Sequence, residues 1–241
     1  MATATDDNAA DEKSDKSIWQ LLNIRCTRNA PRKEILMDNA GKNVIEVKGV
    51  SIEFPGVKAL QNVSCKFESG MAKALIGANG AGKSTLMKVL AGANPTYTGE
   101  VYFNGKKVEL RNPVDAKAQG VGIVYQEVDS ILTPNLSVAE NIMTDHLIYE
   151  LKGLGVVNWS RMNKEAAAVL KELDIDINVK TLVSNLTLAE KQMVVIARAM
   201  VQNCKFLILD EPTAPLSQKE TETLFDLVRR LKKKNCGIIF I

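Results

Sequence analysis

The sequence predicts an α/β protein in which antiparallel strands come first, a strand, a tight loop and a helix follow, and a block of helices is inserted before the chain returns to strand, helix and strand. Three stretches carry that expectation. GANGAGKST, Gly77 to Thr85, lies between the apolar run Met71–Ile76 and the helical run Leu86–Ala91. From Ser137 to Met200 the spacing of apolar residues lengthens from alternation to a helical period. FLIL, Phe206 to Leu209, is a short continuous apolar run that ends in Asp210 and Glu211, the pattern of a buried strand whose end faces a ligand.

Each element follows from local chemistry. Met1 to about Ser17 is small, polar and charged and cannot bury enough surface to order itself. From Ile18 to Asn43 an apolar patch (Ile18, Trp19, Leu21, Leu22) accompanies Arg25, Arg28, Arg32 and Lys33. It reads as a helix packed on its own domain or as one that docks on a partner or a membrane surface. Residues 1–43 are therefore expected to be a partly disordered extension. VIEVKGVSIEF, Val44 to Phe54, alternates with a change of phase at Gly49 that suggests a bulge, and Phe54-Pro55-Gly56 ends it. Strands are expected over Asn62 to Phe67 and Met71 to Ile76, and Asn104-Gly105 marks a hairpin within Val101 to Leu110. Val121 to Tyr125 is a further strand. Helices then open at polar caps: Ser137 with Glu140, Ser160 before the run to Leu173, and Thr187 with Glu190. After Phe206–Leu209, Ser217 with Glu220 caps a helix to about Lys234, and Gly237 to Ile241 is the last strand. The inserted helical subdomain covers about residues 127–202.

Composition excludes several classes. A content of 46% hydrophobic residues is ample for a core in 241 residues. The net charge of +3, from 31 basic and 28 acidic residues, gives no whole-chain field for nucleic acid or an anionic membrane. The four cysteines, Cys26, Cys65, Cys204 and Cys236, form no C-x-x-C pair, which argues against a zinc site or a disulfide framework and for reduced thiols. No apolar run approaches the ~20 residues of a membrane helix, so work at a membrane would need another chain to cross it.

The loop at Gly77 carries the chemistry. The pattern G-x-x-x-x-G-K-[ST], held by Gly77, Gly82, Lys83 and Ser84 between strand and helix, is built to cradle phosphates. Bare backbone lets the N–H groups of Gly77, Asn79, Gly80, Ala81, Gly82 and Thr85 curl around phosphate oxygens, and the helix start adds partial positive charge. Lys83 reaches the outer phosphates, and Ser84 is left to hold Mg2+. A triphosphate site also needs carboxylates for metal and water. Asp210 would hold the magnesium shell and Glu211 would orient or deprotonate the attacking water. The bland alternative for the acidic pair is a solvated turn at a strand end.

The pairing of GANGAGKST with FLILDEP, with VYQE and NLTLAEKQMVVIARAM between them, resembles the ATP-binding cassette ATPases. More narrowly, it is similar to the N-terminal cassette of bacterial ribose, xylose and galactose importers. The likeness runs through FPGVKAL (54–60), NGAGKSTLMKVLAG (79–92), GIVYQE (122–127), NLSVAENI (135–142) and EPTAPLSQKE (211–220). It implies a P-loop NTPase fold, ATP and Mg2+ as ligands, and an ATPase that powers solute import. The implied partners are a membrane permease, a second cassette and, indirectly, a solute-binding protein, at the cytoplasmic face of the membrane and without nucleic acid. Phe54 matches the aromatic that stacks on adenine, although an aromatic ending a strand is also ordinary core. Gln126 matches the glutamine that touches magnesium and water, and Thr187 the signature residue offered to a partner cassette's ATP.

Two departures from the resemblance stand out. Where the broad family carries L-S-G-G-Q, this chain has Leu186-Thr187-Leu188-Ala189-Glu190, which keeps the hydroxyl and loses both glycines. Ser217 stands where aspartate is common after the turn Ala214-Pro215-Leu216. The resemblance also places a Ser-His pair beyond GIIFI, so the cassette over 44–241 is expected to be truncated before that histidine and weakly active by itself. His146 is expected to be a surface residue. The competing functional readings are an ATP-binding regulatory cassette with little hydrolysis and a soluble non-transport ATPase.

Overall fold

In the computed structural model, which describes residues 41–152 and 157–241, β1 (Val44–Phe54) and β2 (Val57–Glu68) form a long antiparallel hairpin. The expected bulge is present. The register steps from Val47↔Cys65 to Val50↔Val63, which leaves one extra residue on β1, and Gly49 takes it at φ 60°. β2 begins at Val57 rather than Asn62, because Phe54 pairs with Val57 across the Pro55-Gly56 turn. Asn62, at φ 48°, is an irregularity inside the strand and hides its continuity from an alternation count. The expected extension before residue 41, its apolar patch and Cys26 lie outside the described residues.

β3 (Ala72–Ala74) is shorter than the run Met71–Ile76. The chain leaves its neighbour once Leu75 N has bonded Phe240 O at 2.9 Å and turns into the glycine loop. α1 (Lys83–Leu90) follows. β4 (Thr98–Phe103) and β5 (Lys106–Val108) are joined by Asn104 and Gly105, both at positive φ (49° and 76°), the two-residue turn whose twist suits a hairpin. Then come α2 (Pro113–Ala118) and β6 (Val121–Val124). The helical stretch comprises α3 (Val138–Ile142), α4 (Thr144–Lys152), α5 (Trp159–Leu173) and α6 (Leu188–Val201). The chain closes with β7 (Phe206–Leu209), α7 (Gln218–Lys233) and β8 (Gly237–Phe240).

Three expected caps form as reciprocal pairs in which the hydroxyl and the carboxylate each satisfy a backbone N–H: Ser137 with Glu140, Thr187 with Glu190, and Ser217 with Glu220. The fourth is corrected. α5 is capped by Asn158, whose side chain accepts from Arg161 N at 3.0 Å, and Ser160 already lies inside the helix. A hydroxyl and an amide two residues apart are equally plausible caps, and only the backbone geometry chooses between them.

The strands sort into two sheets. One is antiparallel in the order β2-β1-β4-β5, and the other is parallel in the order β3-β8-β7-β6. The parallel sheet is buried on both faces, which is why β7 reads as unbroken apolar sequence: all four of its residues are fully buried. Phe206 and Ile208 face a core shared with Met87 and Leu90 of α1 and with the antiparallel sheet. There Phe206 meets Phe103 edge to face, with centroids 6.4 Å apart. Leu207 and Leu209 face a second core built with Val194 of α6 and Leu224 and Val228 of α7. Each such side chain gains roughly 1.5–3 kcal/mol from burial, so both helical layers are anchored to the same four-residue strand.

Candidate functional site

Strands of a parallel sheet all finish at the same edge, and this edge collects the predicted residues. The loop after β3 wraps from Gly77 to Gly82 into α1. Gly80 and Gly82 adopt φ 80° and 83°, a region that only glycine enters without strain. At Gly82 space is also limiting, because a Cβ would collide with the Ala59 carbonyl oxygen and come within 2.7 Å of Leu60 Cδ2. Strand β2 therefore passes directly over the start of α1. Gly82 is the N-cap of that helix, no side chain caps it, and no acidic residue lies in its first turn. The first-turn N–H groups are thus free of local competitors and point at a site suited to an anion. Lys83 Nζ donates to the carbonyl oxygens of Gly77 (2.6 Å) and Ala78 (3.0 Å), so its ammonium sits at the mouth of the loop. Asn79, Ala81 and Ser84 are exposed around it, and Thr85 is half-buried.

Asp210 ends β7, where its backbone N–H bonds Val124 O of β6 at 3.0 Å. Burial pushes its carboxyl pKa up, the charge of Glu211 pushes it further, and Lys88 and Lys83 oppose both. Those four charged groups therefore share one electrostatic neighbourhood. The Tyr125 hydroxyl is raised as well, first by burial and then by Asp210. Gln126 is exposed on a bend, one residue beyond the Tyr125 that Asp210 influences. Glu211 has a left-handed backbone at φ 42°, unusual for a glutamate, and starts the turn that leads to Pro212.

Phe54 is 41% exposed at the tip of the β1–β2 hairpin, whose second strand supplies the Ala59 and Leu60 that abut Gly82. Thr187 is placed elsewhere. It is exposed at the start of α6 and lines a cleft of about 500 Å³ with Asp174, Asp176, Glu220 and Arg230. The structure thus sets Asp210 and Glu211 within electrostatic reach of Lys83, and it leaves Thr187 in a separate cleft. His146 is exposed on α4. The sequence reading missed Lys88 and Tyr125, which flank the acidic pair. Lys88 was legible in principle as a second cation on the helix that starts at Lys83.

The oxygen donors suit a small hard cation. Among the described residues no cluster of three or more His, Cys, Asp or Glu side chains could hold a metal by itself. Positive charge between Asp210 and Glu211 would also relieve the repulsion that raises Asp210.

A parallel sheet covered on both faces, a bare loop leading into an uncapped helix, and acids at the same sheet edge define a P-loop nucleotide-binding fold. Residues 60–214 match the ABC transporter family, and the chain belongs to it. It is 42% identical over 198 residues to the ribose import ATP-binding protein RbsA of Caldanaerobacter subterraneus subsp. tengcongensis, covering 82% of this chain and 39% of that protein. It is 41% identical over 199 residues to the galactose/methyl galactoside import ATP-binding protein MglA of Clostridium perfringens, covering 83% of this chain and 38% of that protein. The chain therefore spans well under half the length of these relatives. Among solved structures, the ADP conformation of an ATP-binding cassette of an ABC transporter superposes with a TM-score of 0.72 at 24% identity, over 83% of this chain and 80% of that one. A dimeric bacterial ABC transporter cassette gives 0.66 at 25% identity, over 81% and 86%. Among the described residues no helix is long and apolar enough to cross a membrane.

Proposed function

We propose that this chain is a cassette that binds and hydrolyses ATP with Mg2+ and, in its complete assembly, powers the import of a monosaccharide or related solute through a separate membrane permease. The observation that carries this reading is that Asp210 and Glu211 lie within electrostatic reach of Lys83, which opens an uncapped helix, and of Lys88 in that helix's last turn. Lys83 stands where phosphate charge would lie, and the two acids stand near it where metal and water would be handled.

In this reading, the N–H groups of the loop from Gly77 to Thr85 hold the phosphates and Lys83 exchanges its loop carbonyls for the outer phosphate oxygens. Ser84, Asp210 and Gln126 would hold the magnesium ion, which supplies charge neutralisation on the phosphates. Glu211 accepts a proton from the attacking water or orients it, and Phe54 lies against the adenine face. Thr187 serves the ATP of a second cassette, in keeping with its separation from this chain's own loop and with the dimer formed by a cassette of like fold. The relatives' names as import ATP-binding proteins support the transport role, a permease partner with a solute-binding protein behind it, and a position at the cytoplasmic face of the membrane.

A second reading, a regulatory cassette with little hydrolysis, has one observation in its favour: Thr187 and Glu190 satisfy each other in a capping box, with Leu188 and Ala189 between them where the usual signature has glycines. One comparison separates the two. In the complete assembly Glu211→Gln should retain nucleotide binding and lower phosphate release by at least ~100-fold. Turnover near the unsubstituted rate would overturn the role given to Glu211. Negligible turnover by the unsubstituted assembly would favour the regulatory reading.

A further inference from the structure

Gln192 lies on α6, between one and two turns after its N-cap Thr187, and is only 1% exposed. Its neighbours in sequence, Met193, Val194 and Val195, are buried hydrophobic residues, so an apolar side chain would be the ordinary occupant of such a position. Its Nε2 donates to the carbonyl oxygen of Pro212 at 3.1 Å, and that carbonyl can only accept, which fixes the amide's orientation. Its Oε1 is enclosed and has no hydrogen-bond partner among the described residues. A buried amide with half of its capacity unmet is costly to keep, so the one bond it makes must matter.

That bond ends on the residue after Glu211. The turn there is under tension, because Glu211 sits at φ 42° and Pro212 brings no N–H with which to brace itself. Among the described residues, the backbone bonds within the turn are long or distant from the glutamate: Ala214 N to Glu211 O at 3.3 Å and Leu216 N to Thr213 O at 3.0 Å. We propose that Gln192 is a positioning residue for hydrolysis: through the Pro212 carbonyl it holds the strained turn that aims the Glu211 carboxylate, and it ties that aim to the helix whose first turn carries Thr187. The proposal rests on the reading of Glu211 as the carboxylate that handles the attacking water.

Gln192→Met is the discriminating substitution, because methionine keeps the length and unbranched shape and removes the donor. It also removes the unpartnered Oε1 while leaving the Pro212 carbonyl unpartnered, so one unmet acceptor replaces another. Thermal stability should therefore stay close to that of the unsubstituted protein, whereas a purely structural bond would show as a lowered Tm. In the complete assembly, kcat for ATP hydrolysis should fall at least ~10-fold, a modest part of the loss that misplacing a reacting group can cause. KM should change by less than about twofold, since the phosphate loop is untouched. Hydrogen exchange at the amides of Thr213, Ala214 and Leu216 should quicken, a readout independent of catalysis. Gln192→Leu, shorter but also without a donor, should behave alike if the methionine variant fails to fold. Unchanged kcat, a rise confined to KM, or unaltered exchange in the turn each overturns the proposal while leaving the ATPase reading intact. Absence of hydrolysis by the unsubstituted assembly overturns that reading and the proposal with it.

Discussion

Two helix starts in this molecule answer the same electrostatic problem in opposite ways. Both α1 and α6 present unbonded N–H groups and the positive end of a helix dipole. At α1 the N-cap is glycine, no side chain caps it and the first turn lacks an acid. At α6 Thr187 Oγ1 accepts from Glu190 N at 3.3 Å and Glu190 Oε2 accepts from Thr187 N at 2.7 Å, so the helix satisfies itself. A helix start meant to receive an anion as its main partner is left bare and is brought a lysine. One that must first be stable carries its own anion, and any phosphate it meets competes with the Glu190 carboxylate. This is the physical content of Glu190 at the position of the signature glutamine: it supplies a negative charge close to where a partner's phosphate would arrive.

The comparison can be broken most sharply at α1. Lys83→Ala removes the only cation on the loop itself and should weaken ATP binding by about 100-fold, the factor corresponding to ~3 kcal/mol for charge-assisted contacts. Calorimetry in magnesium measures it, and unchanged affinity would deny the loop its assignment. At α6 the expectation inverts. Thr187→Ala should cost about 1 kcal/mol of stability as a lost cap, seen as a lowered denaturant midpoint, and should alter this chain's own ATP affinity by less than about twofold. A large loss of affinity in the isolated chain would place Thr187 in this chain's own site.

The smallest effect concerns the acids that face α1. Asp210 titrates above its ordinary value, through burial and then the charge of Glu211. Its protonated form is therefore favoured by folding. That contribution is fully present below the unfolded-state pKa and is lost as pH rises through the folded one. Without nucleotide or magnesium, Asp210→Asn should raise Tm slightly at about pH 7 and leave it unchanged near pH 3, where both proteins are neutral at that position. A gain that is equal at both pH values would point to packing as its source.

Much of this was legible because it is written in local chemistry. The loop from Gly77 to Thr85 announces itself by residues that only a bare, tightly curled backbone needs. The three capping boxes do so by a hydroxyl and an acid at fixed spacing, and β7 by four apolar residues that end in two acids. What escaped depends on partners distant in sequence. Asn158 and Ser160 could not be ranked as caps without the backbone. β2 looked short because Asn62 interrupts its alternation, although pairing with β1 continues to Val57. The grip of Gln192 on Pro212 has no sequence signature, since a glutamine on an apolar helix gives no sign of which carbonyl it will find. The left-handed backbone of Glu211 was equally hidden.

The pairing of β3 with β8 sets an order of assembly. The strand that delivers the phosphate loop is hydrogen-bonded along its length to β8, with Ala72 opposite Ile238 and Ala74 opposite Phe240. A ribosome exposes the loop long before it exposes that support, and a contact spanning so much chain carries a heavy loop-closure penalty until the intervening layers have packed. The finished nucleotide site consequently waits until β8 has been made. ATP in the cell can stabilise the completed cassette, but it cannot serve as a template on which the emerging chain begins to fold.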